Sequence, residues 1–452
     1  MKAGAFLAML ALGFRGAAGE AGGAPAILKV SPDGRHLTDG DGRFFFYLGD
    51  TAWELFHRLK LPDAETYFRD RAAKGFTVIQ AVVLAEFDGL GTPNAYGNTP
   101  LIGDDPAKPN EAYFRNVDDA VRLANSLGLV MGLLPTWGDK VGPKKWGKGP
   151  EVFTPANALA YGRFLGKRYR KASVIWILGG DRAPETEEQK TIWRAMAKGL
   201  AQGDKGRHLI TYHPWGGAYS GDFFHGEDWL DFNGFQSGHG SRDTDNAAMI
   251  GRDYARVPAK PCLDLEPAYE DHPINWKPEN GWFDDADVRV GAWRALFAGA
   301  CGHTYGCHDI WQFLDAGREP VSSARTPWRE AVNLPGSAQV GFARKLIESR
   351  SPLRRVPDQG VFAQDPGQGA LKPRACRGSD GSYVLIYLPE GGSTEIRMDV
   401  VRAATARASW LDPRTGRATD AGEHPARGTM SFAAPSSGRG NDWVLVLDAA
   451  PR

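Results

Sequence analysis

The chain has 452 residues, enough for two domains or for one large domain with a smaller module. Lysine plus arginine and aspartate plus glutamate number 54 each, so no net charge attracts a polyanion and nucleic acid is not an expected partner. The four cysteines form no CxxC pair and are too sparse for a metal cage or a disulfide-rich scaffold. Cys301 and Cys307 could form a disulfide, and buried free thiols are the alternative.

The first residues have the pattern of a secretion signal. Lys2 precedes the apolar run 3–14, and small residues follow around Ala17 to Gly19. The run is shorter than the roughly 20 apolar residues that cross a bilayer, and no other stretch is long enough. We therefore expect residues 1–25 to be a cleaved signal peptide and the mature protein to be secreted or periplasmic, with no membrane span.

Short apolar runs then alternate with amphipathic stretches as far as about Phe313. The predicted strands are 44–53, 77–87, 129–137, 173–181, 208–215, 231–239, 261–269 and 302–311. The predicted helices are 63–74, 111–126, 155–169, 185–202, 244–256, 285–300 and 337–349. In the fifth unit the glycine-rich stretch 216–228 predicts a loop instead of a helix.

Eight strand units over about 270 residues predict parallel pairing and a (β/α)8 barrel spanning residues 27–350. An open doubly wound sheet is the alternative, but Leu48-Gly49-Asp50-Thr51 lacks the GxGxxG pattern that cradles a dinucleotide. Beyond residue 350, prolines and then short alternating strands predict an antiparallel β-sandwich over residues 355–452. The fold class is therefore α/β, with a C-terminal β-sandwich domain.

Reacting groups of such barrels lie at the carboxyl ends of the strands. In this sequence those ends carry carboxylates, imidazoles and indoles, which suit a neutral, polyhydroxylated ligand. The candidate substrate-binding residues are Asp50, Trp53, Glu86, Trp137, His213, Trp215, His239, Tyr305, Asp309 and Trp311. Two of them have a structural alternative, since Asp50 could cap the helix that begins near Ala52 and Glu86 could be a surface charge.

Asp181 and Glu266 are the candidate catalytic acids. They follow the fourth and seventh predicted strands, so they face each other across the mouth of the barrel. Glycosidic cleavage needs one protonated and one ionised carboxyl group, about 5–5.5 Å apart in a retaining enzyme and about 6.5–9.5 Å apart in an inverting one. No HExxH or HxH spacing occurs, so we expect neither a metal nor a cofactor.

Several motifs resemble those of the apiosidase-like glycoside hydrolases over roughly residues 27–350. They are LGDTAW at 48–53, LPTWG at 134–138, WILGGD at 176–181 and Glu266-Pro267. The segments 410–416 and 442–448 resemble the small β-sandwich, named for collagen binding, that often follows this domain. The resemblance implies Asp181 as acid/base and Glu266 as nucleophile, the placement found in the wider cellulase-like clan. Gly180-Asp181 departs from the Asn-Glu of that clan, which weakens any transfer of substrate.

These features predict a secreted retaining glycoside hydrolase acting on O-glycosidic bonds. The expected substrates are side chains of plant-type or bacterial polysaccharides or oligosaccharides, and the resemblance suggests a terminal apiose. The alternative is a non-catalytic carbohydrate-binding protein that uses the same mouth. Carbohydrate is the expected partner in both cases, and the sequence does not determine the oligomeric state.

Overall fold

The computed structural model describes residues 27–142 and 146–450, so the predicted signal peptide lies outside the described residues. The described chain opens with three short strands that pair as a small antiparallel sheet. They are β1 (Lys29–Val30), β2 (Leu37–Thr38) and β3 (Phe44–Phe45). No helix in the described ranges is long and apolar enough to cross a membrane.

Eight parallel strands follow, each five residues or shorter. They are β4 (Tyr47–Thr51), β5 (Val78–Val82), β6 (Val130–Leu134), β7 (Val174–Leu178), β8 (Ile210–Tyr212), β9 (Asn233–Phe235), β10 (Cys262–Asp264) and β11 (Gly302–Tyr305). Six of them form one sheet in the order β11-β4-β5-β6-β7-β8, and β9 pairs separately with β10. Because β11 returns to pair with β4, the sheet is curled, and the predicted parallel arrangement is confirmed. Hydrogen bonding of all eight strands into one closed ring stays a prediction.

The helices lie mainly between these strands. They are α1 (Leu55–Arg58), α2 (Leu61–Ala73), α3 (Glu111–Ser126), α4 (Pro155–Tyr169), α5 (Glu187–Asp204), α6 (Ser220–Phe224), α7 (Asn246–Tyr254), α8 (Asp285–Phe297), α9 (His308–Trp311), α10 (Trp328–Ala331) and α11 (Pro335–Glu348). Short 3₁₀ turns occur at Gly138–Lys140, Ile274–Trp276, Pro278–Asn280, Pro352–Arg354, Gln359–Val361 and Met398–Val400.

Two boundaries differ from the expectation. The stretch 216–228, predicted as a loop, contains the short helix α6, and the predicted eighth strand ends at Tyr305 because α9 begins three residues later. In the first stretch the glycines favoured a loop, but Phe224 packs into the core on a short helix. In the second, the apolar run is too short for its period to separate strand from helix. All four cysteines are free and buried, which settles the choice between disulfide and thiols in favour of thiols.

The C-terminal part consists of antiparallel strands. They are β12 (Arg355–Pro357), β13 (Arg374–Gly378), β14 (Tyr383–Leu388), β15 (Gly391–Arg397), β16 (Thr405–Leu411), β17 (Ala418–Pro425), β18 (Thr429–Ser437) and β19 (Trp443–Ala449). A six-stranded sheet in the order β12-β13-β14-β19-β16-β17 packs against the pair β15-β18 across an apolar layer that includes Ile386, Ile396 and Phe432. This is the predicted β-sandwich.

The sandwich packs on α8, the helix that follows the loop of Glu266. Arg289 of α8 donates to both carboxylate oxygens of Asp442 at 2.8–3.0 Å, and the Tyr387 hydroxyl donates to the same carboxylate at 3.1 Å. Trp293, one turn further along α8, stacks on Tyr387 with ring centroids 5.9 Å apart. Arg289 and Asp442 are both buried, so the pair holds two charges away from water at the centre of the interface.

We expect Asp442→Asn to destabilise the protein by about 3 kcal/mol, because removing one partner leaves the other buried charge poorly compensated. The matched control is Asp420→Asn, which breaks the exposed Arg407–Asp420 pair and should change stability by less than about 0.5 kcal/mol. Urea unfolding followed by circular dichroism measures both variants. Equal effects of the two substitutions would contradict the assigned role of the buried pair.

Candidate active site

Asp181 stands at the end of a left-handed turn that follows β7. Gly179, Gly180 and Asp181 have φ angles of +93°, +72° and +56°. A Cβ on Gly179 would lie 2.2 Å from the carbonyl oxygen of His213, and one on Gly180 would lie 2.9 Å from the amide nitrogen of Gly138. Both positions therefore require glycine, and the turn is held between the loop after β6 and the end of β8.

The surroundings of Asp181 favour its protonated form. Burial and the negative charge of Glu266 raise the pKa of Asp181 well above its usual value. The neighbouring Arg182 and hydrogen bonds from Trp146 and Gln236 act in the opposite direction. Burial comes first among these effects, so Asp181 has the properties of a proton donor.

Glu266, two residues beyond β10, is held by two histidines. The Nε2 atom of His213 lies 2.9 Å from one of its carboxylate oxygens, and Nε2 of His239 lies 3.1 Å from the other. Each imidazole also accepts a backbone N–H at Nδ1: Asp181 donates to His213 at 3.1 Å, and Tyr269 donates to His239 at 3.3 Å. A ring nitrogen that accepts an N–H carries no proton, so each ring carries its proton on Nε2. The Nε2–H of His239 is hydrogen-bonded to Glu266, and Nε2 of His213 faces the other carboxylate oxygen in close polar contact.

These donors keep Glu266 ionised. Burial would raise its pKa, but hydrogen bonding to His213 and His239 and the electrostatic attraction of the same two rings outweigh burial and lower the pKa to about 2. Tyr269 stands beside them: its hydroxyl accepts the indole N–H of Trp53 at 2.9 Å, and burial and the Glu266 carboxylate raise the pKa of the phenol. Glu266 is therefore a carboxylate at neutral pH, and Asp181 is the one of the two acids that keeps its proton to higher pH.

His213 links the two acids directly. One nitrogen of its ring contacts the backbone of Asp181 and the other contacts the carboxylate of Glu266. The ring is fully buried, so it fixes the two chain segments relative to each other across the mouth. The carboxyl–carboxyl separation of about 5–6 Å, which the retaining geometry requires, stays a prediction.

Other predicted substrate residues surround this pair. Trp53 lies against Trp137 and His213, with ring centroids 5.5 Å away in each case. Trp215 lies 6.2 Å from Trp146, and Trp311 lies 5.5 Å from Phe87, again between ring centroids. Burial raises the pKa of Glu86 well above its usual value, and the charges of Glu54 and Asp181 add to the effect, so this carboxyl group belongs to the same acidic cluster.

Comparison with known proteins gives the family. A family model described as "Apiosidase-like, catalytic domain" matches residues 31–353. The chain belongs to this apiosidase-like family. A second model, "Putative collagen-binding domain of a collagenase", matches residues 356–448.

Solved structures agree with the apiosidase-like assignment. One titled "Glycoside hydrolase" is 31% identical, with a TM-score of 0.86 and a match covering 94% of this chain and 97% of the other. A glycoside hydrolase family 5 protein from Bacteroides vulgatus is 30% identical, with the same TM-score and 93% of each chain covered. A further glycoside hydrolase structure from that organism shares the fold at 16% identity, with a TM-score of 0.69 and coverage of 96% of this chain and 84% of the other. No curated protein matches the chain.

Three predicted substrate residues of the apiosidase-like domain point away from the mouth, and these predictions are corrected. Asp50 is fully buried and accepts from the Arg71 guanidinium at 2.5 Å and from the Tyr67 hydroxyl at 2.6 Å, on the helix side of the sheet. Tyr305, its neighbour across the β4–β11 pair, donates to Glu270 at 2.6 Å. The reason is the two-residue period of a strand, which sends alternate side chains to opposite faces.

Asp309 is the third correction. Its carboxylate is buried and accepts the backbone N–H groups of Arg325 at 2.9 Å and Thr326 at 3.0 Å, which ties the insertion between α9 and α10 to the domain. Burial raises its pKa to about 7. The residue therefore holds the insertion loop in place.

Sequence analysis missed several residues that the apiosidase-like site brings together. They are Trp146, Tyr269 and His272, all from loops after strands, and Trp276 lies outside them in the loop that follows Glu266. His272 stacks on His239 with centroids 4.3 Å apart, and burial together with His239 and His308 lowers its pKa. Loops have no periodicity, so the available signal was composition alone: three aromatic or imidazole rings, Tyr269, His272 and Trp276, within about ten residues of Glu266. Within the described ranges, no group of three or more histidine, cysteine or acidic residues is arranged to hold a metal ion.

We expect His239→Phe to raise the pKa of Glu266, because the substitution removes one of the two N–H donors and keeps a ring of similar size. The pKa is measured by carbon-13 NMR titration of carboxyl-labelled glutamate, and the Glu266 resonance is assigned as the one that is absent from the Glu266→Gln spectrum. In the wild type, nitrogen-15 spectra should show that Nδ1 of His213 and of His239 accepts a hydrogen bond, as the backbone amides of Asp181 and Tyr269 require. His208, whose ring contacts Asp204 and lies away from the mouth, provides a control substitution that should leave Glu266 unchanged.

Proposed function

We propose that this chain is an exported retaining glycoside hydrolase that cleaves O-glycosidic bonds, with Asp181 as acid/base and Glu266 as nucleophile. The observation that carries the proposal is that His213 joins two carboxyl groups whose pKa values are shifted in opposite directions, up for Asp181 and down for Glu266. A retaining glycosidase needs one carboxyl group of each kind. The apiosidase-like family assignment supports the same reaction class.

In the first step the Glu266 carboxylate attacks the anomeric carbon while Asp181 gives its proton to the departing oxygen. A glycosyl ester forms on Glu266, and the bond to the leaving group breaks. In the second step the Asp181 carboxylate takes a proton from water, the water oxygen attacks the same carbon, and Glu266 departs as a carboxylate. The two histidine N–H groups stabilise that departing carboxylate, so they favour hydrolysis of the ester.

The coupling between the acids supplies the change of role. While Glu266 is ionised, its charge raises the pKa of Asp181 and keeps the proton there. Once Glu266 is an ester that charge is gone, so the pKa of Asp181 falls and the residue becomes the base that the second step needs.

The proposed substrates are side chains of plant-type or bacterial polysaccharides or their oligosaccharides, with terminal apiose as the first sugar to test. The indoles of Trp53, Trp137 and Trp215 around the acids support a carbohydrate ligand.

The proposal also includes a complete eight-unit barrel. One backbone hydrogen bond supports closure between β8 and β9, from the Asp231 N–H to the Ile210 carbonyl, and another between β10 and β11, from the Cys301 N–H to the Cys262 carbonyl. Export is supported by the signal-like residues 1–25.

We expect Glu266→Ala to abolish turnover of every substrate, because no covalent intermediate can form. Asp181→Ala should retain activity on aryl glycosides with good leaving groups, which need no protonation, and azide should accelerate release of the glycosyl enzyme. Rates on aryl glycosides and on plant cell-wall oligosaccharides, with the first product's anomeric configuration read by NMR, measure these effects. The assignment would be contradicted if Asp181→Ala lost activity equally on both substrate types without an azide response, or if the first product had inverted configuration. Binding of carbohydrate without turnover would favour the carbohydrate-binding alternative.

The pH dependence of kcat/KM should be bell-shaped. The acid limb follows protonation of Glu266, whose pKa is about 2, and the alkaline limb follows ionisation of Asp181, whose pKa is raised. Activity therefore falls as pH rises through the pKa of Asp181. In Asp181→Ala, assayed with an aryl glycoside bearing a good leaving group, the alkaline limb should disappear, and its persistence would assign it to another group.

A further inference from the structure

Trp276 is an exposed indole in the loop that follows Glu266. It ends the 3₁₀ turn Ile274–Trp276, and 53% of its surface is exposed. The backbone N–H of its neighbour Asn275 donates to the carbonyl of His239 at 2.9 Å, so the loop is attached to one of the two histidines that bind Glu266. The indole is thus separated from the nucleophile by one imidazole ring.

The backbone at this position is strained. Asn275 and Trp276 have φ angles of +55° and +58°. Asparagine tolerates this left-handed region, whereas a bulky residue such as tryptophan is rarely found there. Strained residues persist where the surrounding structure or the function retains them, and they cluster at ligand sites.

Packing gives little reason to keep an indole here. Its described ring contacts are with His239 and His272, at centroid distances of 5.9 Å and 5.7 Å and at interplanar angles of 79° and 85°. These are favourable edge-to-face contacts, but they cover only part of the indole, and half of the side chain faces solvent. A side chain that is strained, exposed and adjacent to the nucleophile is better explained by a ligand than by the core.

We propose that Trp276 forms a second saccharide subsite, which binds the sugar adjoining the one attacked by Glu266. This inference rests on the proposed function and deepens it. An indole binds the C–H face of a sugar ring while the ring hydroxyls stay in water, so the ligand is a neutral ring within an oligosaccharide chain or branch. Trp276 then determines preference for longer substrates, and the chemistry at Asp181 and Glu266 does not depend on it.

The test uses Trp276→Gly, because glycine adopts the same φ without strain. On plant cell-wall oligosaccharides KM should rise about five- to tenfold, with kcat within about twofold. On an aryl monoglycoside, kcat/KM should stay within about twofold and Tm should be equal or higher. Asn275→Gly relieves strain at the adjacent residue and keeps the indole, so it should leave both KM values unchanged.

A binding measurement separates this inference from the hydrolase proposal. The measurement is fluorine-19 NMR of Glu266→Ala protein labelled with 5-fluorotryptophan. The Trp276 resonance is assigned as the one that is absent from the double variant Glu266→Ala/Trp276→Gly. Titration with plant and bacterial cell-wall oligosaccharides should shift it, and an aryl monoglycoside should not. A shift while the wild type cleaves nothing supports the subsite and overturns the hydrolase. The subsite is overturned if no oligosaccharide shifts the Trp276 resonance. It is also overturned if Trp276→Gly lowers Tm and reduces kcat/KM equally on the oligosaccharides and on the aryl monoglycoside.

Discussion

Two imidazoles whose Nε2 atoms face one buried carboxylate form the interaction on which the site depends. A carboxylate removed from water would be protonated unless donors replaced the lost hydration. His213 and His239 replace it with one N–H for each oxygen, and each is held in the required tautomer by a backbone amide. The low pKa of Glu266, the raised pKa of Asp181 and the proposed exchange of roles during the reaction all follow from this arrangement.

The same arrangement makes the geometry of the turn at Gly179–Asp181 chemically important. The amide that donates to His213 belongs to Asp181, whose φ is +56°. A different backbone path at this residue would remove both the amide and the carboxyl group from their positions. The carboxyl group of Asp181 and the imidazole that faces Glu266 are therefore positioned by a single residue with a left-handed backbone, consistent with strain concentrated at functional sites.

Sequence reasoning placed Asp181 and Glu266 because apolar strands followed by polar residues mark strand ends without any knowledge of contacts. It could not separate Asp50 and Tyr305 from the mouth, since a one-residue change of register exchanges the two faces of a strand. It named His213 and His239 as sugar ligands and did not predict that they contact Glu266. That contact depends on the backbone amides of Asp181 and Tyr269, which orient the two rings and lie in different loops from the histidines. Trp276 lay beyond reach for a related reason: loop conformation follows from tertiary contacts, and no periodic pattern reports it.

The sandwich is joined to the domain of Glu266 by more than a linker. Arg289 and Trp293 of α8 meet Asp442 and Tyr387 through a buried charge pair and a stacked ring, and Arg374 of the sandwich also pairs with Asp245 ahead of α7. Apolar residues of β14 and β19 belong to the same packed cluster as α8 and α11. This module is consequently not an exchangeable cassette: transplanted to another enzyme it would carry an exposed apolar face and unpaired charges, so the two parts have to evolve together.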